Sequence, residues 1–335
     1  MRDQAIVCGI TLRDFPPRFY LSRHSVLFVC AFLALAAAAV ELAACHRALP
    51  GRPSGFEPAL DGLAFLPDET EIVLSLDFDR LRGQPIWKTL SPALAKHASP
   101  ALEEIASGTG LEAARQIHRI WIGLPAERQA DGRFVLFAET DSVDTARATA
   151  WLQERGRGEL AVSIPNSRQI LVARGAWTHA IAGRMTRTAA DNVELRRLCQ
   201  RSAGANSLWF AAVVPLRVRR TLMETARLSD VATLVRTSGS LSDAAGLHAE
   251  WVGEFGNTVD PPLVAHRLRF LQNQAKRHPD MLVAGLSPYL EALHVEVRNA
   301  SVRVAVDLPD AQISDVLERI EALARTPRTK YSPAP

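Results

Sequence analysis

Glu71-Ile72-Val73-Leu74-Ser75-Leu76-Asp77-Phe78-Asp79 is the stretch on which the fold turns. Ile72, Leu74, Leu76 and Phe78 alternate with Val73, Ser75 and Asp77, the two-residue period of a strand. Asp79 then stands where a carboxylate can cap a helix. The apolar side of that helix is Leu81, Ile86, Leu90 and Leu94, and Pro85 and Pro92 interrupt it.

Reading outward, strands recur at Ile120 to Leu124 and Arg133 to Glu139, and Asp141 or Ser142 opens a helix through Ala150, Trp151 and Leu152. Strands Glu159 to Ile164 and Gln169 to Ala173 precede a helix from Ala176 to Met185. The order then returns. Strand Ser207 to Val214 leads to a helix carrying Leu222, Met223, Ala226, Val231, Leu234 and Val235; strands Gly239 to Asp243 and Leu247 to Phe255 lead to a helix from Pro262 to Arg277. Strands Ala292 to Arg298 and Val302 to Leu308 lead to a last helix, Asp310 to Ala324, with Ile313, Val316, Leu317 and Ile320 inward.

Strand, helix, two strands, helix, two strands, helix therefore occurs twice. The expected class is α+β, built as two similar halves of mixed or antiparallel strands, 62–192 and 193–325, dividing near Asn192 to Ala205. Residues 326–335, rich in proline and basic side chains, read as a disordered tail.

The two halves differ in polarity. First-half strands are apolar on both faces: Trp121 beside Ile120 and Ile122, Phe137 beside Phe134 and Leu136, Leu171 beside Ile170 and Val172. Helices cover one side of such a sheet. The other must meet the second half, a partner or an apolar ligand, and packing between the halves is the expected answer. Later strands of the second half are polar on one face.

Upstream, Ser25 to Val40 is an unbroken apolar and small run preceded by Arg13, Arg18, Arg23 and His24, the layout of a secretory signal. It closes on Leu42-Ala43-Ala44-Cys45, which resembles the lipobox of bacterial lipoproteins, where small residues fit the peptidase and the cysteine thiol takes the lipid. Residues 1–44 are thus expected to be a signal peptide, ending in cleavage before Cys45. Two other readings stay open: cleavage by the ordinary signal peptidase within Ala36 to Ala39, and an uncleaved anchor, which Glu41 cuts short of the roughly 20 apolar residues a span needs. The long stretch before Ser25 points to a start downstream of Met1. Residues 45–61, rich in Pro, Gly and Arg, read as the lipidated cysteine and a flexible tether, at most roughly 50 Å long.

Across 335 residues, 47% are hydrophobic and 22% charged, an ordinary globular balance. The net charge of +3 is spread among interspersed arginines and acids, so nucleic acid is not an expected partner. Cys8 and Cys30 leave with the leader and Cys45 is acylated on this reading. Cys199 then remains as a lone thiol, and its helical spacing with Leu195 and Leu198 marks it as a core residue.

Phe65-Leu66-Pro67 leading into Glu71 to Asp77, followed by Leu81-Arg82 and Pro85-Ile86-Trp87, resembles the opening of uncharacterised proteobacterial, myxobacteria-like envelope lipoproteins. The likeness extends through Phe134 to Glu139 and Ser142 to Trp151. It implies a tandem α/β repeat on a lipid anchor, and no activity.

Chemistry-bearing groups are few. Asp77 and Asp79 could be paired carboxylates for acid–base work, though a strand end and a helix cap account for them. His248-Ala249-Glu250 and His294-Val295-Glu296 each place His and Glu on one side of a strand, and on neighbouring strands the four could hold a metal. Leu247, Ala249 and Trp251, with Leu293, Val295 and Val297, supply the inward alternation and turn His and Glu to water, with Arg298, Arg303 and Asp307 continuing the polar face. Gly108-Thr109-Gly110 reads as a helix-ending turn, not a dinucleotide loop. No catalytic, cofactor or metal residue is assigned on this basis; the assigned site is lipidation at Cys45.

The expectation is a lipid-anchored envelope protein that binds another envelope protein without catalysis, with the outer membrane as destination and the body in the periplasm, since His46 rather than Asp follows Cys45. One alternative is a periplasmic carrier, holding an amphiphile or peptide in a groove lined by Trp121, Phe137 and Leu171. Another is a hydrolase in which Asp77, His248 or His294 converge.

Overall fold

Both hydrogen-bonding edges of β1 (Ile72–Asp77) are used, by β2 (Ile117–Leu124) on one side and β6 (Leu208–Val213) on the other, each antiparallel. The computed structural model describes residues 60–84, 87, 116–126, 133–156, 160–178, 185–204, 206–224, 233–243, 246–256 and 260–325. The leader, Cys45, most of the tether, the Gly108-Thr109-Gly110 turn and the tail lie outside them.

The remaining strands are β3 (Phe134–Thr140), β4 (Leu160–Asn166), β5 (Gln169–Arg174), β7 (Leu234–Asp243), β8 (Leu247–Phe255), β9 (Leu293–Arg298) and β10 (Ser301–Leu308). All ten join one antiparallel sheet, in the order β4-β5-β3-β2-β1-β6-β7-β8-β10-β9. Among the described residues the helices are α1 (Phe78–Arg82), α2 (Thr145–Gly156), α3 (Val193–Ala203), α4 (Leu216–Glu224), α5 (Pro261–Lys276), α6 (Pro279–Val283), α7 (Ser287–Glu291) and α8 (Asp310–Arg325). The class is α+β. None of these helices is long and apolar enough to cross a membrane.

Counted outward from β1, the strand order is first, second, third, fifth, fourth; counted outward from β6, it is the same. These two sets meet edge to edge, through β1 and β6. The second face of β1–β5 is covered partly by the first helix of the 193–325 half and partly by a segment just before β1. Leu63 from a short 3-10 segment (Asp61–Phe65) and Leu66 just after it, together with Leu195, Leu198 and Cys199 from α3, bury Trp121, Phe137 and Leu171. The opposite face packs Leu76, Ile120, Ala138 and Ile170 with Phe78 and Leu81 of α1 and Ala148 of α2, and continues into Ile313 and Val316 of α8.

The segment near Asn192 to Ala205, which lies in sequence between the two sets of strands, forms a helix packed in the core. The Asn192 side chain accepts from the Leu195 N–H at 3.1 Å, and Leu195 and Leu198 below it are buried. Its apolar period had the length of a helix, but alone it could not show that the helix crosses the sheet's centre. Burial pushes the Cys199 thiol up to about 12. Iodoacetamide at neutral pH is accordingly expected to modify Cys199 only after denaturation, as read by peptide mapping; rapid labelling of the native protein would show that α3 leaves the sheet.

Two other expectations change. Asp77, not Asp79, caps the first helix, accepting from the Arg80 N–H at 3.0 Å, and Gly83 ends that helix after Arg82. Leu234 and Val235, expected in a helix, open β7, where pairing with β8 outweighs local periodicity.

The outer strands are blunted. Arg269 Nη2 of α5 donates to the Val295 carbonyl at 2.7 Å, and Gln272 Nε2 donates to the Leu293 carbonyl at 3.0 Å, occupying the free edge of β9. At the other end β4 carries Pro165 inside a register break between Ser163 and Asn166.

Candidate functional site

Alternation along β8 turns Ala249, Trp251 and Phe255 toward α5 and α8, which leaves His248, Glu250, Val252 and Glu254 on the other side. There they join the side chains of β7, β10 and β9 in cross-strand rows. Ser242, His248 and Asp307 form one row; Ser240, Glu250, Ala305 and His294 the next; Ser238, Val252, Arg303 and Glu296 the third. α3 borders this face, because Arg236 of β7 pairs with Glu194 of α3, and Arg201 of α3 reaches Glu254 at 2.7 Å. Burial would raise the Glu254 carboxyl, but the hydrogen bonds and charges of Arg236 and Arg201 hold it below the usual range. Beyond that border the face is open among the described residues.

Its charges run as a relay. Asp307 Oδ1 lies 2.6 Å from His248 Nδ1, and His248 Nε2 lies 3.5 Å from Glu250. Arg303 grips Glu250 with Nε at 2.8 Å and Nη2 at 2.9 Å, and its Nη1 is 3.6 Å from Glu296, which Arg298 holds from the other side at 3.1 Å. The hydrogen bond to Glu250, with its charge, raises the Arg303 guanidinium still higher.

The four-residue metal alternative finds no support in this geometry. β8 and β9 are not neighbours, since β10 lies between them, and the cation between Glu250 and Glu296 is Arg303. His294 stands opposite Ala305, away from His248. Among the described residues no group of three or more His, Cys, Asp or Glu is placed to hold a metal ion.

Asp77 and Asp79 do not act as a pair either. Asp77 accepts from Arg119 Nε at 2.8 Å besides capping α1, whereas Asp79 faces His118 and Arg82. Three strand steps separate Asp77 from His248, about 14 Å at the usual strand spacing, and His294 is two steps further, so the convergence required by the hydrolase reading does not occur. The groove on which the carrier reading drew is closed: Trp121 and Phe137 are 0% exposed and Leu171 5%, beneath α3 and the 3-10 segment.

A second cluster was not foreseen. His118 stands at a break in the β2–β3 register between Ile117 and Arg119. Its Nδ1 lies 3.0 Å from Asp79 and its Nε2 lies 2.7 Å from Asp141. The apolar run starts only at Ile120, so His118 and Arg119 of β2 carry no strand period in the sequence. The available signal was their position directly before that run.

Searches of protein-family models and of curated proteins give no match to the chain. A solved structure titled "Structure of crystal form I of TP0453" is similar in fold, with a TM-score of 0.44 and 12% identity over 78% of this chain and 98% of that one.

Proposed function

We propose that the chain is a lipid-anchored envelope protein that acts by binding another envelope protein, using the open strand face of β7, β8, β10 and β9. The observation that carries the binding role is that face: a rigid, hydrogen-bonded sheet presenting Ser238, Ser240, Glu250, Arg303, Glu296 and Arg298 in fixed rows, with its carboxylates held by arginines. Such a surface offers alternating charge and hydroxyl groups without loop ordering, which favours a partner of complementary polar pattern. The anchor rests on the apolar run ending in Leu42-Ala43-Ala44-Cys45. On this reading the acylated Cys45 sits in the outer membrane, and the body works in the periplasm close to it.

One cell experiment tests both halves of the reading. Cys45→Ala is expected to abolish labelling by a fatty-acid analogue and leave the precursor uncut; unchanged labelling removes the anchor. A photo-crosslinking residue at Ser240 or Glu296 is expected to capture one discrete protein, while the same residue at Gln274 on the far side captures none. Equal capture from both positions would refute the face as the binding surface.

A further inference from the structure

We infer that His118 is a proton-operated clasp that fastens α1 and the β3–α2 connection to the start of β2. A register break of this kind takes one residue out of strand alternation and re-aims its side chain. Here it aims His118 between two carboxylates on different elements, Asp79 of α1 on the Nδ1 side and Asp141, just past β3, on the Nε2 side. Both carboxylates accept, so the arrangement is complete only when each ring nitrogen carries a proton. The neutral ring has one N–H and one lone pair. Losing the proton to solvent therefore turns the lone pair toward one of the carboxylates, and that arm opens.

Other ties are independent of this proton. Arg82 Nη2 donates to the Ile117 carbonyl at 2.6 Å, and the Asp141 N–H donates to the Gln116 carbonyl at 2.9 Å. The fold thus survives opening, and what changes is how firmly α1 and the β3–α2 connection are held. The charged groups around His118 are Asp79 and Arg82 from α1, Arg119 from β2, and Glu139 and Asp141 from β3 and its end, with Asp77 of β1 and Asp61 beyond them. Burial lifts the Glu139 carboxyl above its usual range, so this member of the cluster takes up its proton earlier than an ordinary carboxylate as pH falls.

The signs give a window. The hydrogen bond to Asp79 raises His118 above its ordinary 6.5 against the opposing effect of burial, and the Asp141 hydrogen bond adds to it. Its contribution is fully present below 6.5 and is lost as pH rises through the raised folded value. Burial would raise Asp79, but the His118 hydrogen bond, with His118, Arg82 and Arg119 charges, leaves it below 3.8; its contribution is present above 3.8 and lost as pH falls through the lowered value. The clasp is closed between these limits and opens on the alkaline side.

The test is hydrogen exchange by mass spectrometry on the full-length protein across this range, corrected for intrinsic exchange, alongside NMR titration of the His118 ring. The expected result is a His118 midpoint above 6.5, with protection of α1 and the first turn of α2 falling across that midpoint. His118→Gln is expected to lose the pH dependence. Asp141→Asn is expected to lower the midpoint, and it keeps the test sharp if His118→Gln folds poorly. A midpoint at or below 6.5, or protection as pH-dependent in His118→Gln as in the wild type, would overturn the clasp.

Discussion

Trp121→Ala destabilises the protein by about 3–5 kcal/mol, measured by denaturant unfolding followed by circular dichroism. The indole is 0% exposed in the middle of β2 and packs 5.3 Å from the Phe137 ring, which in turn stacks on Phe65 at 4.0 Å. The layer above is built around it: a Cβ placed on Gly62 would lie 2.2 Å from an indole carbon. Removing the indole therefore opens a cavity whose walls are a sheet and two tightly fitted backbone segments, which can collapse only in part. Trp121→Phe should recover much of the loss. A cost for Trp121→Ala below about 1 kcal/mol would show that this face is not packed, and would return the groove reading to contention.

Gly246→Val is the other severe change, and its cause is backbone geometry. Gly246 has φ +115 at the turn between β7 and β8, a region that side-chain-bearing residues rarely occupy, at a cost of about 1–3 kcal/mol. A Cβ there would also stand 2.6 Å from the Leu308 carbonyl oxygen and 3.2 Å from Pro309 Cα, both backbone atoms fixed by the end of β10. Relief requires moving the β8–β10 register, so the total is expected to reach about 3 kcal/mol or more, visible as a lowered melting temperature. Gly83→Ala is the control: its Cβ would meet only ordinary contacts, the nearer at 3.4 Å from the Arg80 carbonyl, at a negative φ. Equal losses from the two substitutions would show that glycine chemistry, and not the crowded turn, is responsible.

Much of the strand pattern was legible because it is local. Leu247 to Phe255 alternates so regularly that its limits coincide with β8, and the polar side of β8, β10 and β9 follows from the same alternation. Three things were not legible, each because it depends on residues distant in sequence. Doubly apolar strands announce two covered faces without naming the cover, and here it is one helix of the second half, α3, with a 3-10 segment near Leu63. His-x-Glu on two strands says nothing about a strand between them, so Arg303 was legible as part of the same polar face but not as the side chain standing between Glu250 and Glu296. The His118 cluster needs three elements, and its strand residue lies on the polar end of β2, where hydrophobic period gives no signal.

The pairing of β1 with β6 has one more consequence. Antiparallel strands from two sets with the same order are joined as two subunits related by a twofold axis would be, with Leu74 opposite Phe210 at the centre. What would be a subunit interface in an assembly of separate chains is tied here by the peptide backbone, so its partner is always present, at an effective concentration on the order of millimolar. Dilution therefore cannot dissociate it. Even at very few copies per cell the protein keeps its continuous sheet, and with it the full width of the strand face.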